Sequence, residues 1–438
     1  MSTQSMAAQS APAPRSSQSS FKTILGTGVG NMVEWYDWNV YATFAAYFSS
    51  QLFDNSNPRS AFLQTMAVFA VGFVSRPLGG VLFGWIGDRI GRKPSLTLSI
   101  AFAAAGSLII AFTPTYGQIG WVASALLVLA RIIQGLAHGG ELPAAQTYLV
   151  EHAPRERRGF FASSIYVSGT LGILVGLLLG VGLQLALTEE QMQSWGWRIP
   201  FVVGAALGLV AFWIRGSMTE SEIFHEHRDQ VKPKDEENVF LAVLKNWRQG
   251  LRVVFMTAGL TTCYYIWGVM MPSIARTSLG FTAQQAFAAS LIGNVVLIVS
   301  LPFWGRLSDR IGRRPPAILA MLGSAAVYIP ALMFINHGTQ AALTISISIQ
   351  LFLLAGFLSH APATYAEMFE TAQRTAGFGI YYAFAIAIFG GTAGYIFTWV
   401  GNAYIFAGYT IVLLVISAIV IWFLPETAGR DLSKPMHH

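Results

Sequence analysis

A ten-residue basic loop occurs twice in this chain, and the repeat restricts the fold more than any other feature. One copy is Gly84-Trp-Ile-Gly-Asp88-Arg89-Ile-Gly-Arg92-Lys93; the other is Gly305-Arg-Leu-Ser-Asp309-Arg310-Ile-Gly-Arg313-Arg314. Six of the ten positions are identical, and the copies stand about half of the 438-residue chain apart. Long apolar runs flank each copy. A duplication with a basic loop at the same place in each half points to two homologous membrane bundles.

Composition agrees. Apolar residues make up 54% and charged residues 11%, whereas a soluble domain carries about 25% charge. The chain therefore reads as an all-α polytopic membrane protein, and its formal charge of +6 is not a sign of nucleic acid. Cys263 is the one cysteine, which excludes an intramolecular disulfide and a cysteine metal cluster. No stretch has P-loop spacing, so ATP hydrolysis is not indicated. Residues 1–20 are rich in Ser, Gln, Ala and Pro and read as a disordered tail, not as a secretory signal.

A helix that crosses a bilayer needs about 20 mostly apolar residues. The charge-poor runs and their breaks predict spans near 24–50, 61–84, two within 94–150 divided at Pro114-Thr-Tyr-Gly117, 159–187 and up to 214. Residues 151–158 form a charged loop in this reading, and Trp195–Phe201 anchors the start of span six at the outer surface. After the most charged segment, 215–252, come 253–275 and 283–305. Two further pairs lie in 315–366 and 375–425, broken at Asn336-His-Gly338 and at Gly401-Asn402. The domains are thus a tail (1–20), a six-helix bundle (21–214), a central loop (215–252), a second six-helix bundle (253–425) and a tail (426–438). Of 27 Lys and Arg residues, twenty-two fall on the side of the termini and three, Arg59, Arg198 and Arg276, on the other. This asymmetry predicts that both termini and the central loop are cytoplasmic in a cell membrane, the bacterial inner membrane being the natural one.

The repeated G-x-x-x-D-R-x-G-R-[KR] loop after spans two and eight resembles the signature loop of the major facilitator superfamily. A narrower resemblance rests on Gly30-Asn31-Met-Val-Glu34-Trp35-Tyr-Asp37, Arg76-Pro77-Leu-Gly79-Gly80, Gln134-Gly135, Gly139-Gly140-Glu141 and Trp195-Gly-Trp-Arg-Ile-Pro-Phe201. These look like the metabolite:proton symporter branch. Ala125–Arg131, Ala366–Phe369 and Ile388–Gly391 are most similar to 2-oxoglutarate permeases; citrate, shikimate and proline/betaine carriers share much of the pattern. The resemblance implies twelve helices in two halves, a substrate held between them at mid-membrane, access that alternates by rocking, and a monomer. It also implies that the basic loops act as a latch, made in one access state and broken in the other. The Gly-Pro pair of the superfamily's antiporters is absent from span five, which favours import over drug efflux.

The loop residues suit that latch. Gly84 and Gly305 permit close helix approach, while Asp88 and Asp309 can pair with arginines such as Arg89, Arg92, Arg310 and Arg313 or with a helix N-terminus. Ionisable groups inside spans cost at least about 2.5 kcal/mol at mid-bilayer, so they face a partner or a polar cavity. Glu34 and Asp37 share a helical face, where two carboxylates resist ionising together; either can be the proton site, and Glu141 is a further candidate. Arg76 and Arg131 offer forks for a carboxylate, or else neutralise Glu34, Asp37 or Glu141. Arg131, His138 and Glu141 fall on roughly one helical face. His360, beside Pro362, is either a binding-site or a core histidine. Tyr264, Tyr265 and Asn294 are candidate pocket walls.

The expected activity is proton-driven import of a small organic acid, 2-oxoglutarate or a related carboxylate, with a small organic anion, the proton and the bilayer as partners. No cofactor, metal or enzymatic chemistry is indicated. The alternatives are a zwitterionic osmolyte such as proline or betaine, or citrate or shikimate. The absence of a long coiled-coil tail counts against osmosensing.

Overall fold

The computed structural model describes residues 17–90, 92–139, 141–217, 246–369 and 374–432. Most of the central loop and both chain ends lie outside them. Twelve long helical segments account for nearly all of it. In the first half α1 is Ser17–Leu52, α2 Pro58–Arg89 and α3 Arg92–Phe112; α4 joins Trp121–Ala137 to Glu141–His152; α5 is Arg158–Ala186 and α6 Ile199–Ser217. In the second half α7 runs Trp247–Tyr264, a π-turn Tyr265–Met270 and Met271–Ser278. Then come α8 (Ala283–Ile311), α9 (Arg314–Ile335) and α10 (Gln340–Leu358 with Ala361–Glu367). Finally α11 runs Arg374–Ala385, a π-turn Ile386–Gly391 and Ala393–Val400, and α12 is Ala403–Trp422.

Among the described residues nine helices are long and apolar enough to cross a membrane, and Thr97–Phe112 and Trp121–Ala137 are apolar but shorter. Helix α1 completes the set; Asn31, Glu34, Asp37 and Asn39 lower its hydropathy while lying buried. Large apolar side chains such as Leu78, Val81, Trp213 and Val299 cover the outside, as a lipid-facing surface requires. Helix α7 is the exception, with 94% of its apolar window buried inside the protein. This is a multi-pass membrane protein.

The duplication read from the loops reappears as packing. In the first half α1 packs on α5, α2 on α4, α3 on α4 and α3 on α6. In the second, α7 packs on α11, α8 on α10, α9 on α10 and α9 on α12, the same pairs shifted by six helices. Glycines set the α2–α4 crossing. A β-carbon at Gly79 would overlap the Leu136 carbonyl, one at Gly135 the Gly72 carbonyl, and one at Gly139 the Arg76 carbonyl. Helices that meet backbone to backbone need residues this small.

Several boundaries differ from the sequence reading. Helix α1 begins at Ser17, inside the segment read as a tail. Helix continues to His152 and a 3-10 turn fills Arg155–Arg157, so only a short link remains of the charged loop. Span four is not continuous: helix stops at Ala137 and resumes at Glu141, so the shared face of Arg131, His138 and Glu141 ends at the break. The equivalent helix of the second half, α10, breaks at Ser359-His360 before Pro362. Trp197 is fully buried against Phe48 and Phe201 and is not a surface anchor. Its neighbour Arg198 instead donates from Nη1 to the Ala111 and Thr113 carbonyls, both at 2.7 Å, and so closes the end of α3.

Candidate functional site

The centre of the interface between the halves is aromatic. Trp35 of α1 stands edge-on to Tyr264 at 5.8 Å between centroids and is stacked on Tyr265 at 6.2 Å. The Tyr166 hydroxyl of α5 meets the Tyr382 hydroxyl of α11 at 3.0 Å. Trp35, Tyr166, Tyr264 and Tyr382, with Thr257, Thr261 and Leu358, line a cavity of about 20 Å³, room for a water and no more. The π-turns place these rings: Tyr265 opens one, and Tyr382 lies one turn before the other. Such turns add a residue to the helix and reorient the side chains beside it.

Two arginines flank this centre within the first half. The Arg76 and Arg131 guanidinium carbons lie 4.1 and 3.9 Å from the ring centroid of Trp38. Arg131 also lies 4.4 Å from the Tyr41 ring. Cations held over aromatic faces in a dry site gain about 2 kcal/mol each. Beyond that the two differ. Arg76 lies 4.7 Å from the Phe73 ring, which stands edge-on to Tyr265 of the second half at 5.3 Å, and its Nη2 is 3.3 Å from Glu34 Oε1. Arg131 is fully buried. Its Nη1 donates to Gln134 Oε1 at 2.8 Å, while Nε and Nη2 have no partner among the described residues.

The two carboxylates of α1 do not share a site. Three helical steps leave them about 60° apart around the axis, enough to turn Glu34 to α2 and Asp37 to α3 and α6. Asp37 is 3% exposed, accepts from Ser107 Oγ at 3.2 Å and faces Gly204. It forms no ion pair among the described residues. Ser107 was not singled out from sequence, and Gln134 stood out only as part of the Gln134-Gly135 motif; the pairing of α3 with α4 shows that they bridge Asp37 and Arg131.

The remaining candidates fall elsewhere. Asn294 donates to the Gly268 and Ser290 carbonyls at 3.1 and 3.0 Å and ties α8 to the α7 π-turn, so it does not line the cavity. His360 is buried at the α10 break, with Nδ1 3.0 Å from Thr364 Oγ1, and does not line the cavity either. The side chains of Gly84, Asp88, Arg92 and Glu141 lie outside the described set. Arg89 is exposed and stacks on Trp85 at 4.8 Å.

In the second repeat the loop is visible in detail. Asp309 accepts from the Gly159 and Phe160 amides of α5 at 2.7 and 2.9 Å, a carboxylate on a helix N-terminus. Arg313 donates to Asp309 at 2.8 Å and to both oxygens of buried Glu367, at 3.2 and 3.3 Å. Arg310 is exposed. Gly305 lies against Gly159, where a β-carbon on either would collide. Arg158 donates to the Arg430 carbonyl at 2.7 Å, and Arg374 pairs with Glu151. These contacts join the halves on the face that carries the basic loops. On the opposite face Arg59 caps the end of α11 through the Thr398 and Trp399 carbonyls, at 3.1 and 3.2 Å. There Arg276 pairs with Glu189 over the Tyr47 ring, and Ser273 donates to the Ala42 carbonyl at 2.6 Å. Among the described residues the halves are thus bridged on both faces, as an occluded conformation requires.

Comparison with known proteins follows the same lines. The family profile described as "Sugar (and other) transporter" matches residues 23–239, and "Major Facilitator Superfamily" matches 284–436. The alpha-ketoglutarate permease of Escherichia coli (strain K12) is 37% identical over 375 residues, 85% of this chain and 85% of that protein. A putative proline/betaine transporter of Staphylococcus aureus (strain COL) is 32% identical, covering 94% of this chain and 90% of its own. Among solved structures, the xylose transporter of E. coli in a partially occluded inward-open conformation has a TM-score of 0.73 at 17% identity, over 95% of this chain and 100% of that one. A proton:xylose symporter bound to 6-bromo-6-deoxy-D-glucose has a TM-score of 0.75 at 18% identity, over 95% and 98%. These structures share the fold, and the relatives are named as transporters and permeases, not as enzymes.

Proposed function

Because the chain belongs to the major facilitator superfamily of transporters, we propose that it imports a small carboxylate, 2-oxoglutarate in the first instance, together with protons. The observation that carries this reading is Arg131: a fully buried guanidinium with two donors that no described residue accepts from. Buried donors left unmet are costly, and a substrate carboxylate offers the planar acceptor pair that fits the fork. Arg76 stands nearer the interface and guides the anion past Trp38, with Glu34 as its resting partner. Asp37, free of any direct arginine contact among the described residues, takes the proton. The bundles of residues 21–214 and 253–425 rock about the aromatic centre, the Asp309–α5 contact being the latch on the cytoplasmic face. The carrier works as a monomer in the cell membrane, both termini inside. The sequence likeness to the alpha-ketoglutarate permease supports the choice of acid.

A second reading has its own support. Trp35, Tyr166, Tyr264, Tyr265 and Tyr382 make a cage of rings of the kind that receives a quaternary ammonium, and the proline/betaine relative covers 94% of the chain. A betaine would place its carboxylate on arginine and its ammonium in the cage. Uptake of labelled 2-oxoglutarate, citrate, shikimate, proline and betaine into proteoliposomes, with an inward proton gradient and then with protonophore, decides between the readings. Protonophore-sensitive accumulation of 2-oxoglutarate is the expected result; accumulation of betaine or proline alone would replace the first reading with the second.

A further inference from the structure

Between Asp37 and Arg131 the structure holds a chain of hydrogen bonds whose direction follows from chemistry alone. A guanidinium only donates, so the Gln134 atom 2.8 Å from Arg131 Nη1 is the carbonyl Oε1. The Gln134 amide nitrogen is then the other end, and it donates to Ser107 Oγ at 2.9 Å. With its oxygen already accepting, Ser107 sends its single O–H on to Asp37 Oδ1 at 3.2 Å. Every donor points toward Asp37, which suits a carboxylate there. The four side chains come from α1, α3 and α4, and none is more than 3% exposed. Gly106 lets α3 close on α4 beside them, since a β-carbon there would lie 2.5 Å from Gln134 Cγ.

We propose that Ser107 and Gln134 are positioning residues that carry the charge state of Asp37 to Arg131. The proposal rests on Asp37 being the proton site. Other groups around Asp37 are committed. Arg131 is the charge that α4 sets on it; α2 offers Arg76, held by Glu34; α6 presents Gly204. On α1 itself the Tyr36 and Tyr41 hydroxyls are spent on the Pro200 and Thr65 carbonyls. With Asp37 ionised, the chain is drawn toward the carboxylate and Arg131 is held by its Nη1. When a proton binds Asp37 and its new O–H donates to Ser107 Oγ, the Ser107 hydroxyl loses its acceptor, and the Gln134 group that faces it is a donor. The conflict is relieved when Gln134 turns its Oε1 to Ser107, which brings its NH₂ against Arg131 and ends that bond. Arg131 then has Nε, Nη1 and Nη2 all seeking acceptors, and the transported carboxylate supplies them. Proton and anion thereby favour each other's binding, and the proton leaves Asp37 when the anion departs.

The test is the pH dependence of substrate KM in proteoliposomes, with whichever of labelled 2-oxoglutarate, proline or betaine the wild-type carrier accumulates. Wild-type KM should fall about tenfold from alkaline to acidic pH, within the range of such couplings. Ser107→Ala and Gln134→Met should flatten that change to less than about twofold, while Ser107→Thr, which keeps the hydroxyl, should restore it. Gln134→Glu gives Arg131 a fixed anion and should raise KM at every pH. A second readout is the infrared carbonyl stretch of protonated Asp37, identified by its loss in Asp37→Asn. It should shift in Ser107→Ala and stay in place in Ser107→Thr. A wild-type pH profile retained by both Ser107→Ala and Gln134→Met would overturn the relay, as would a Ser107→Thr profile as flat as that of Ser107→Ala. Accumulation of betaine in place of the acid would end the carboxylate-import reading yet leave the relay to be judged on betaine. Accumulation indifferent to protonophore would overturn Asp37 as the proton site and the relay with it.

Discussion

At the scale of single residues, the two arginines beside Trp38 illustrate how position decides a role. Arg131→Ala should abolish carboxylate uptake, and Arg131→Lys should recover little of it, because an ammonium lacks the planar fork. Retained uptake in Arg131→Ala would remove Arg131 from the substrate site. Arg76 has a different consequence. Removing it leaves Glu34 buried without its arginine, a loss of about 3–5 kcal/mol. Arg76→Ala should therefore lower thermal stability in detergent, and the double variant Arg76→Ala, Glu34→Gln should recover much of it. A double variant no more stable than Arg76→Ala would show that the pair is not what holds this region together. Asp37→Asn should lose protonophore-sensitive accumulation while solute exchange is the activity that survives; accumulation that persists would place the proton elsewhere.

At the scale of helices, the α2–α4 crossing depends on glycine. Gly135→Val sets a branched side chain against the Gly72 carbonyl and Ser75. Overpacking of this kind costs about 1–3 kcal/mol or more, and the melting temperature should drop. Gly408 of α12 has open space where a β-carbon would go, so Gly408→Ala should hold or raise it by the helix preference of about 0.5–1 kcal/mol. If both variants melt alike, close approach is not what the α2–α4 glycines provide. The repeated basic loop belongs to this scale too: Asp309 works by capping α5, a helix about 150 positions earlier in the chain.

At the scale of the molecule, closure on both faces means that two sets of contacts hold the occluded form. Asp309→Asn weakens the cap on α5, and Arg276→Ala removes the pair with Glu189. Each should shift the population toward opening on its own face. The measurement is the alkylation rate of a cysteine at the cavity position Thr261, introduced in a Cys263→Ser background and probed from each side of the membrane. Asp309→Asn should speed labelling from the basic face, and Arg276→Ala from the opposite one. Equal labelling from both sides in both variants would mean that neither contact is a gate.

The sequence by itself determined a great deal. The repeated loop and the lengths of the apolar runs sufficed for twelve helices in two like halves, because span length and backbone satisfaction in lipid leave few alternatives. Breaks at Pro114, Asn336 and Gly401 were legible, since each changes local backbone preference. The intramembrane ionisable residues were legible as a class, because their burial needs a reason. Their partners were not. Glu34 and Asp37 look alike three positions apart, yet one turns to Arg76 and the other to Ser107. Asn294 and Tyr264 look equally suited to a pocket wall, yet one ties helices together and the other lines the cavity. Ser107 carries no signal of its own in an apolar run, and the Gln134-Gly135 motif gave Gln134 no partner. Which helix faces which, and by what rotation, is a property of packing between segments far apart in sequence, where glycine contacts and π-turns set the angle. The tertiary structure alone decided that, and with it which of the buried charges are joined.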